Sequence, residues 1–234
     1  MSPLDCLIGD FANCLDYYIE KEPLNSRSEQ YIATVKLRKQ FSSVTAAIAD
    51  DEFLRNLHST LEGFFRLARI GLLPLDQFKQ ELSRHQTSIA SFEGEKLGTE
   101  PEATGAELSK LISQLNLTKK KEKKGKKATE DNPRLVSGTK TLHLLLPDLV
   151  VPIDREYTRA FLFRYTGDFD AGDAEQETFR TAFATFHTIA KAVAPETYVG
   201  KHPMHTTPTK VIDNGMMGFV ELVRAQFQGL IPAQ

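Results

Sequence analysis

Tryptophan is absent from this chain, and cysteine occurs only at Cys6 and Cys14. The two cysteines stand eight positions apart on one predicted helix, roughly two turns, which is too far for a disulfide in regular helix. With no further cysteine, a thiolate zinc site of the usual kind is excluded. Both thiols read as reduced, which suits a cytoplasmic protein. The first residues lack a basic stretch followed by an apolar core and a small-residue cleavage site. No apolar run is long enough to cross a bilayer, so no membrane partner is expected. An excess of charge of one sign is also missing: 29 Lys and Arg stand against 31 Asp and Glu, a net charge of −2. Net charge therefore predicts no nucleic-acid partner, and only a local cluster can. No internal repeat, EF-hand loop or glycine-rich phosphate loop is present, so no metal and no cofactor is predicted.

Apolar residues are present in the proportion of a packed core, 41%, and the 15 phenylalanines stand in for the missing tryptophan. Their spacing is helical almost throughout. Leu4, Leu7, Ile8, Phe11, Leu15 and Tyr18 predict a helix over 4–21, ended by Pro23. Tyr31, Val35, Phe41, Val44 and Ile48 predict a second over 27–49. Asp50 or Asp51 can cap a third over 52–71, which Gly71 closes. Pro74 starts a fourth, fading near Gly94. A loop with Gly94, Gly98, Pro101 and Gly105 precedes a short helix over 105–116. Helices over 155–166 and 174–193 follow, the second with a stripe of Phe179, Phe183 and Phe186. Thr207 caps a last helix with Pro208 at its first position. The fold class is all-α: one domain over 1–234, with lobes 1–93 and 105–234 as the variant and a mobile lysine-rich loop over 118–133.

That loop holds Lys119, Lys120, Lys121, Lys123, Lys124, Lys126 and Lys127. It has no interleaved aromatics, so it cannot stack bases. It reads either as a solvated charged loop or as a sequence-independent attraction for phosphates.

The most informative stretch is Leu135 to Phe163. Gly138-Thr139-Lys140 opens an apolar run, Leu142 to Leu146, that Pro147 stops. A strand-like piece, Leu149-Val150-Val151, then leads through Pro152 to Asp154, which reads as the cap of the next helix. Ser137 or Thr139 can cap the preceding helix in the same way. Lys140 and Asp154 are then either a surface lysine and a cap, or a pair beside two facing helix starts. In the second case the amides bind an anion and the lysine acts on phosphate or as an amine nucleophile. His58 and His85 read as structural. His202 and His205 flank Pro203, which prevents the helical zinc arrangement.

Gly138-Thr139-Lys140, the apolar helix after it and Val151-Pro152-Ile153-Asp154 together resemble the helix-hairpin-helix DNA glycosylases, in particular the 8-oxoguanine branch. The resemblance covers about a tenth of the chain. Val136 replaces the first hairpin glycine, and Ser137 stands where an apolar residue is usual. The resemblance implies Lys140 as Schiff-base nucleophile, Asp154 as the acid assisting base release, and Gly138 and Thr139 in a turn gripping DNA phosphate. The stretch is also similar to uncharacterised bacterial proteins with a Lys-x-Leu-His, Pro-Asp-Leu, Pro-x-Asp-Arg pattern. Arg155, Arg159 and the lysine run would hold further phosphates. The expected function is DNA binding with glycosylase-like base excision. A non-enzymatic helical scaffold is the alternative, and an enzyme acting on a small phosphorylated molecule ranks third. Oligomeric state is not legible.

Overall fold

The computed structural model describes residues 2–100, 103–119, 134–163 and 172–227. Among them are eleven α-helices: α1 (Pro3–Gly9), α2 (Phe11–Lys21), α3 (Ser26–Arg38), α4 (Val44–Ala49), α5 (Asp51–Gly63), α6 (Leu75–Ala90), α7 (Thr104–Gln114), α8 (Arg134–Leu145), α9 (Tyr157–Phe163), α10 (Gly172–Val193) and α11 (Pro208–Phe227). Two 3-10 turns, Leu67–Ile70 and Pro195–Tyr198, join them. The all-α expectation holds: the described residues form no strand, only a bridge between Leu72 and Thr118.

Three predicted helices are broken, one of them by a competing side-chain cap. The first divides at Asp10 into α1 and α2, so Cys6 and Cys14 lie on different helices, and both are free thiols. The second divides at Lys39 to Ser43, because the Ser43 hydroxyl accepts from the Ala46 amide and starts α4. The third stops at Gly63, and Arg66 then takes a left-handed conformation with φ 55°. Asp50 is the cap that starts this helix, accepting from the Phe53 amide at 2.7 Å.

α8 sits at the centre, against α3, α5, α7 and α10. Every residue from Leu135 to Leu145 is buried. The turn expected at Gly138-Thr139-Lys140 is helix interior, and neither Ser137 nor Thr139 caps it. The helix starts four residues earlier than the Ser137–Gly138 reading, at Arg134, and the Glu175 carboxylate of α10 accepts from the Leu135 amide there. Gly138 serves helix packing: a side chain on it would meet Ile112 of α7 at 3.1 Å.

Unmatched polar side chains in an enclosed helix are costly. Among the described residues Thr141 Oγ1 has no hydrogen-bond partner, but Thr139, Lys140 and His143 are matched. Thr139 Oγ1 donates to Leu135 O at 2.7 Å and accepts from the Ile153 amide at 3.2 Å. His143 Nδ1 lies 2.9 Å from the Val150 carbonyl, which can only accept, so Nδ1 carries the hydrogen. Its Nε2 therefore accepts from Tyr31 Oη at 2.8 Å. Thr139, Lys140 and His143 thus stitch the extended segment 149–154 onto α8. Among the described residues the strand-like piece lies against no neighbouring strand. The Leu146 carbonyl accepts from the Leu149 and Val150 amides, and side chains of His143, Thr139 and Thr158 bond Val150 O, Ile153 N and Asp154 N.

α11 packs most extensively on α2. Two glycines permit this approach: a Cβ on Gly218 would stand 1.9 Å from the Cys14 carbonyl oxygen, and one on Gly215 would stand 2.4 Å from the Phe11 ring. Buried apolar residues from Leu7 to Val220 form one cluster. The described part of the 118–133 segment is anchored: Lys119 donates its amide to Gly71 O at 2.7 Å. Lys120 to Lys127 lie outside the described residues.

Two outcomes follow for stability. Gly218→Ala should cost about 3 kcal/mol, the upper part of the usual overpacking range, because backbone blocks the new methyl; urea unfolding measures it. Burial lowers the pKa of His143 to about 3 and that of His205 to about 4. An unfolded histidine titrates near 6.5, so below that pH the unfolded chain takes protons the folded chain refuses. Stability should fall as pH drops from about 6.5 toward 4, by about 1.4 kcal/mol per pH unit for each ring. His143→Gln should remove one ring's share of that slope in unfolding curves at pH 7, 6 and 5.

Candidate functional site

Asp154 divides its two carboxylate oxygens between two tasks. Oδ1 accepts from the amides of Glu156 at 2.7 Å and Tyr157 at 3.4 Å, which caps α9 as the sequence predicts. Oδ2 accepts from Lys140 Nζ at 3.1 Å. Cap and ion pair are therefore one feature. Burial alone would raise the Asp154 carboxyl, but Lys140 beside it and the two amides outweigh that and hold it below the usual carboxylate range. The Lys140 side chain is 8% exposed and that of Asp154 37%, so the pair opens to solvent on the aspartate side.

Both residues line one cleft of about 280 Å³. A second pair that the sequence reading missed stands in the same cleft: Lys210 Nζ lies 2.6 Å from Asp213 Oδ2, both nearly fully buried. Burial works against the Lys210 charge, but Asp213, Tyr18 and Tyr31 outweigh it and hold its pKa above the ordinary lysine value. The rings of Tyr18, Tyr31 and Phe64 surround this ammonium at 5.8, 5.8 and 5.5 Å. The Lys140 amine lies 5.4 Å from the Phe65 ring centroid. Phe64 and Phe65 are adjacent, with ring centroids 4.9 Å apart, so one dipeptide separates the two ion pairs.

The other predicted site residues do not join this cleft. Thr139 is 0% exposed, and Gly138 is packed under Ile112, so neither offers a surface to phosphate, contrary to the expectation of a gripping turn. Arg155 is exposed beside the α9 start, and Arg159 is half-buried. Lys119 is exposed beside Gly71. His58 bonds the Leu73 carbonyl at 2.8 Å and His85 meets Glu81 at 3.4 Å, as structural histidines do. Among the described residues no three His, Cys, Asp or Glu side chains gather at ligand distance.

The missed residues left faint signals. Lys210 and Asp213 are three apart with Val211 and Ile212 between them, which places opposite charges on the apolar side of a helix start. Phe64-Phe65 carried the other signal, as two adjacent aromatic rings on the helix predicted over 52–71.

Asp154→Asn keeps a capping oxygen, whereas Asp154→Ala removes the cap and leaves Lys140 without its partner. The alanine variant should be less stable than the asparagine variant by about 1 kcal/mol, the usual worth of a cap, as paired thermal melts would register. Compared with protein-family models, with curated proteins and with solved structures, the chain finds no significant match.

Proposed function

We propose that the protein binds DNA and acts on one extruded nucleotide in the Lys140–Asp154 cleft, breaking the bond between base and sugar. The observation that carries this reading is the 3.1 Å approach of the Lys140 amine to the Asp154 carboxylate in an aromatic-walled cleft. The cleft volume lies near the low end of the range for small-ligand sites, roughly 300–1,000 Å³, which suits a single flipped base.

The charges suit the reaction. As the bond from C1′ to the base nitrogen breaks, positive charge grows on the sugar, and the Asp154 carboxylate stabilises it. The departing base keeps the bonding electron pair and takes a proton from the Lys140 ammonium. Water then adds to C1′, or the amine just freed on Lys140 does. In the second case the sugar ring opens to an iminium on Lys140, which borohydride reduces to a stable amine. Phe64, Phe65 and Tyr157 offer faces against which a base can stack. The lysine run Lys119 to Lys127 adds salt-dependent attraction for the strand.

The alternative, a non-enzymatic helical scaffold, is favoured by one observation: the same pair also caps α9 and ties it to α8. Duplexes carrying 8-oxoguanine or an abasic site separate the two. Base excision should occur with the wild-type chain; a borohydride-trapped adduct that Lys140→Gln abolishes marks addition of the amine, and excision without an adduct marks addition of water. Asp154→Asn should slow base release at least about 100-fold, in line with a positioned acid–base or charge-stabilising group. No duplex affinity at low salt, with melting as the only property the variants change, would leave the scaffold reading.

A further inference from the structure

The charges lining the cleft largely cancel in pairs. Lys140 is matched by Asp154 and Lys210 by Asp213, whereas Arg224, outside the lining, is shared between Glu156 at 3.0 Å and Glu221 at 2.7 Å. Arg27, Arg66 and Glu22 remain, all three exposed. Among the described residues neither guanidinium has an ion pair or a side-chain hydrogen bond. The cleft rim therefore holds two unpaired guanidinium groups alongside the carboxylates of Glu22 and Glu156.

Arg66 is unusual in its backbone as well. Its φ of 55° is a left-handed conformation that costs a long side chain about 1 kcal/mol or more. Elsewhere the described chain gives such positions to Gly71, Gly94, Gly98 and Gly200, with Ala194 the other exception. At the cleft rim it keeps an arginine. That residue directly follows Phe64-Phe65, the dipeptide that separates the two ion pairs. Arg27 reaches the same rim from the first turn of α3, next to the Asn25 cap that accepts from its amide at 2.9 Å. A guanidinium offers a planar fork of donors that matches phosphate oxygens better than an ammonium does.

We infer that Arg27 and Arg66 form a phosphate grip at the mouth of the aromatic cleft, so that its ligand is a phosphorylated nucleoside rather than a bare base or nucleoside. This inference deepens the base-excision reading and rests on it for the identity of the group inside the cleft. The phosphate can belong to a nucleotide unit of a DNA strand or to a free nucleoside monophosphate. In both cases the guanidinium groups hold it at the rim while the base lies between the rings and the Lys140–Asp154 pair.

Calorimetric titration of the full chain tests this with deoxyguanosine, deoxyguanosine 5′-monophosphate and a short single-stranded deoxyoligonucleotide. The grip predicts that one of the phosphorylated probes binds at least about tenfold more tightly than the nucleoside. That preference should disappear in the Arg27→Gln, Arg66→Gln double variant. Tight binding of the monophosphate points to a free nucleotide, and binding of the oligonucleotide alone points to a strand. Arg66→Gly adds a control on strain: it should melt higher than wild type yet lose the preference. Equal binding of all probes by wild type and double variant, or no binding of either phosphorylated probe, overturns the grip. A retained phosphate preference with no base excision would sink the excision reading and leave the grip standing. Undiminished excision by the double variant would do the reverse.

Discussion

The structure depends on the complete enclosure of a helix that carries polar groups. α8 touches four other helices, yet Thr139, Lys140 and His143 all lie within it. A buried donor or acceptor without a partner costs roughly 1–3 kcal/mol, and a charge more. Each of these side chains therefore dictates where a partner must stand. Thr139 and His143 place the backbone of Ile153 and Val150, and Lys140 places Asp154. His143 also fixes Tyr31 of α3, more than a hundred positions away in sequence. The extended return from α8 to α9 is held by these demands rather than by a sheet.

The cleft is a product of the same arrangement. Lys140 emerges from α8 only on the side where α9 begins, and the Asp154 cap meets it there. Phe64 and Phe65, just beyond the end of α5, fill the space between this pair and the pair on α11. The aromatic faces favour the ammonium groups and keep the two pairs apart. Close seating of α11 on α2 through Gly215 and Gly218 puts Lys210 beside Tyr18.

Helix content was legible because amphipathic spacing survives in every segment whose outer face meets water. α5 and α6 show this, with Leu57, Leu61, Phe78 and Leu82 buried as their spacing implies. α8 was misplaced for the opposite reason. A helix buried on all sides has no polar face to set its period, and Gly138-Thr139 looks like a turn when the Ile112 side chain packed on the glycine is out of view. Lys140 and Asp154 were found because their meeting is local, with one helix and one return segment between them. Lys210 and Asp213 were not, because opposite charges three apart on a helix ordinarily mark a solvated face. Their burial depends on Tyr18, Tyr31 and Phe64, which come from far earlier in the chain.

One carboxylate serves both the first turn of α9 and the amine of α8. Occupancy of the cleft and the seating of α9 are consequently linked: a guest that competes for Asp154 loosens that turn, and a firmer turn disfavours the guest by the same free energy. Glu156, at the corner before α9, meets Arg224 of α11 at 3.0 Å. The corner where α8, α9 and α11 meet thus shares one set of charges, and a change at Asp154 is felt by both the ion pair and the helix start.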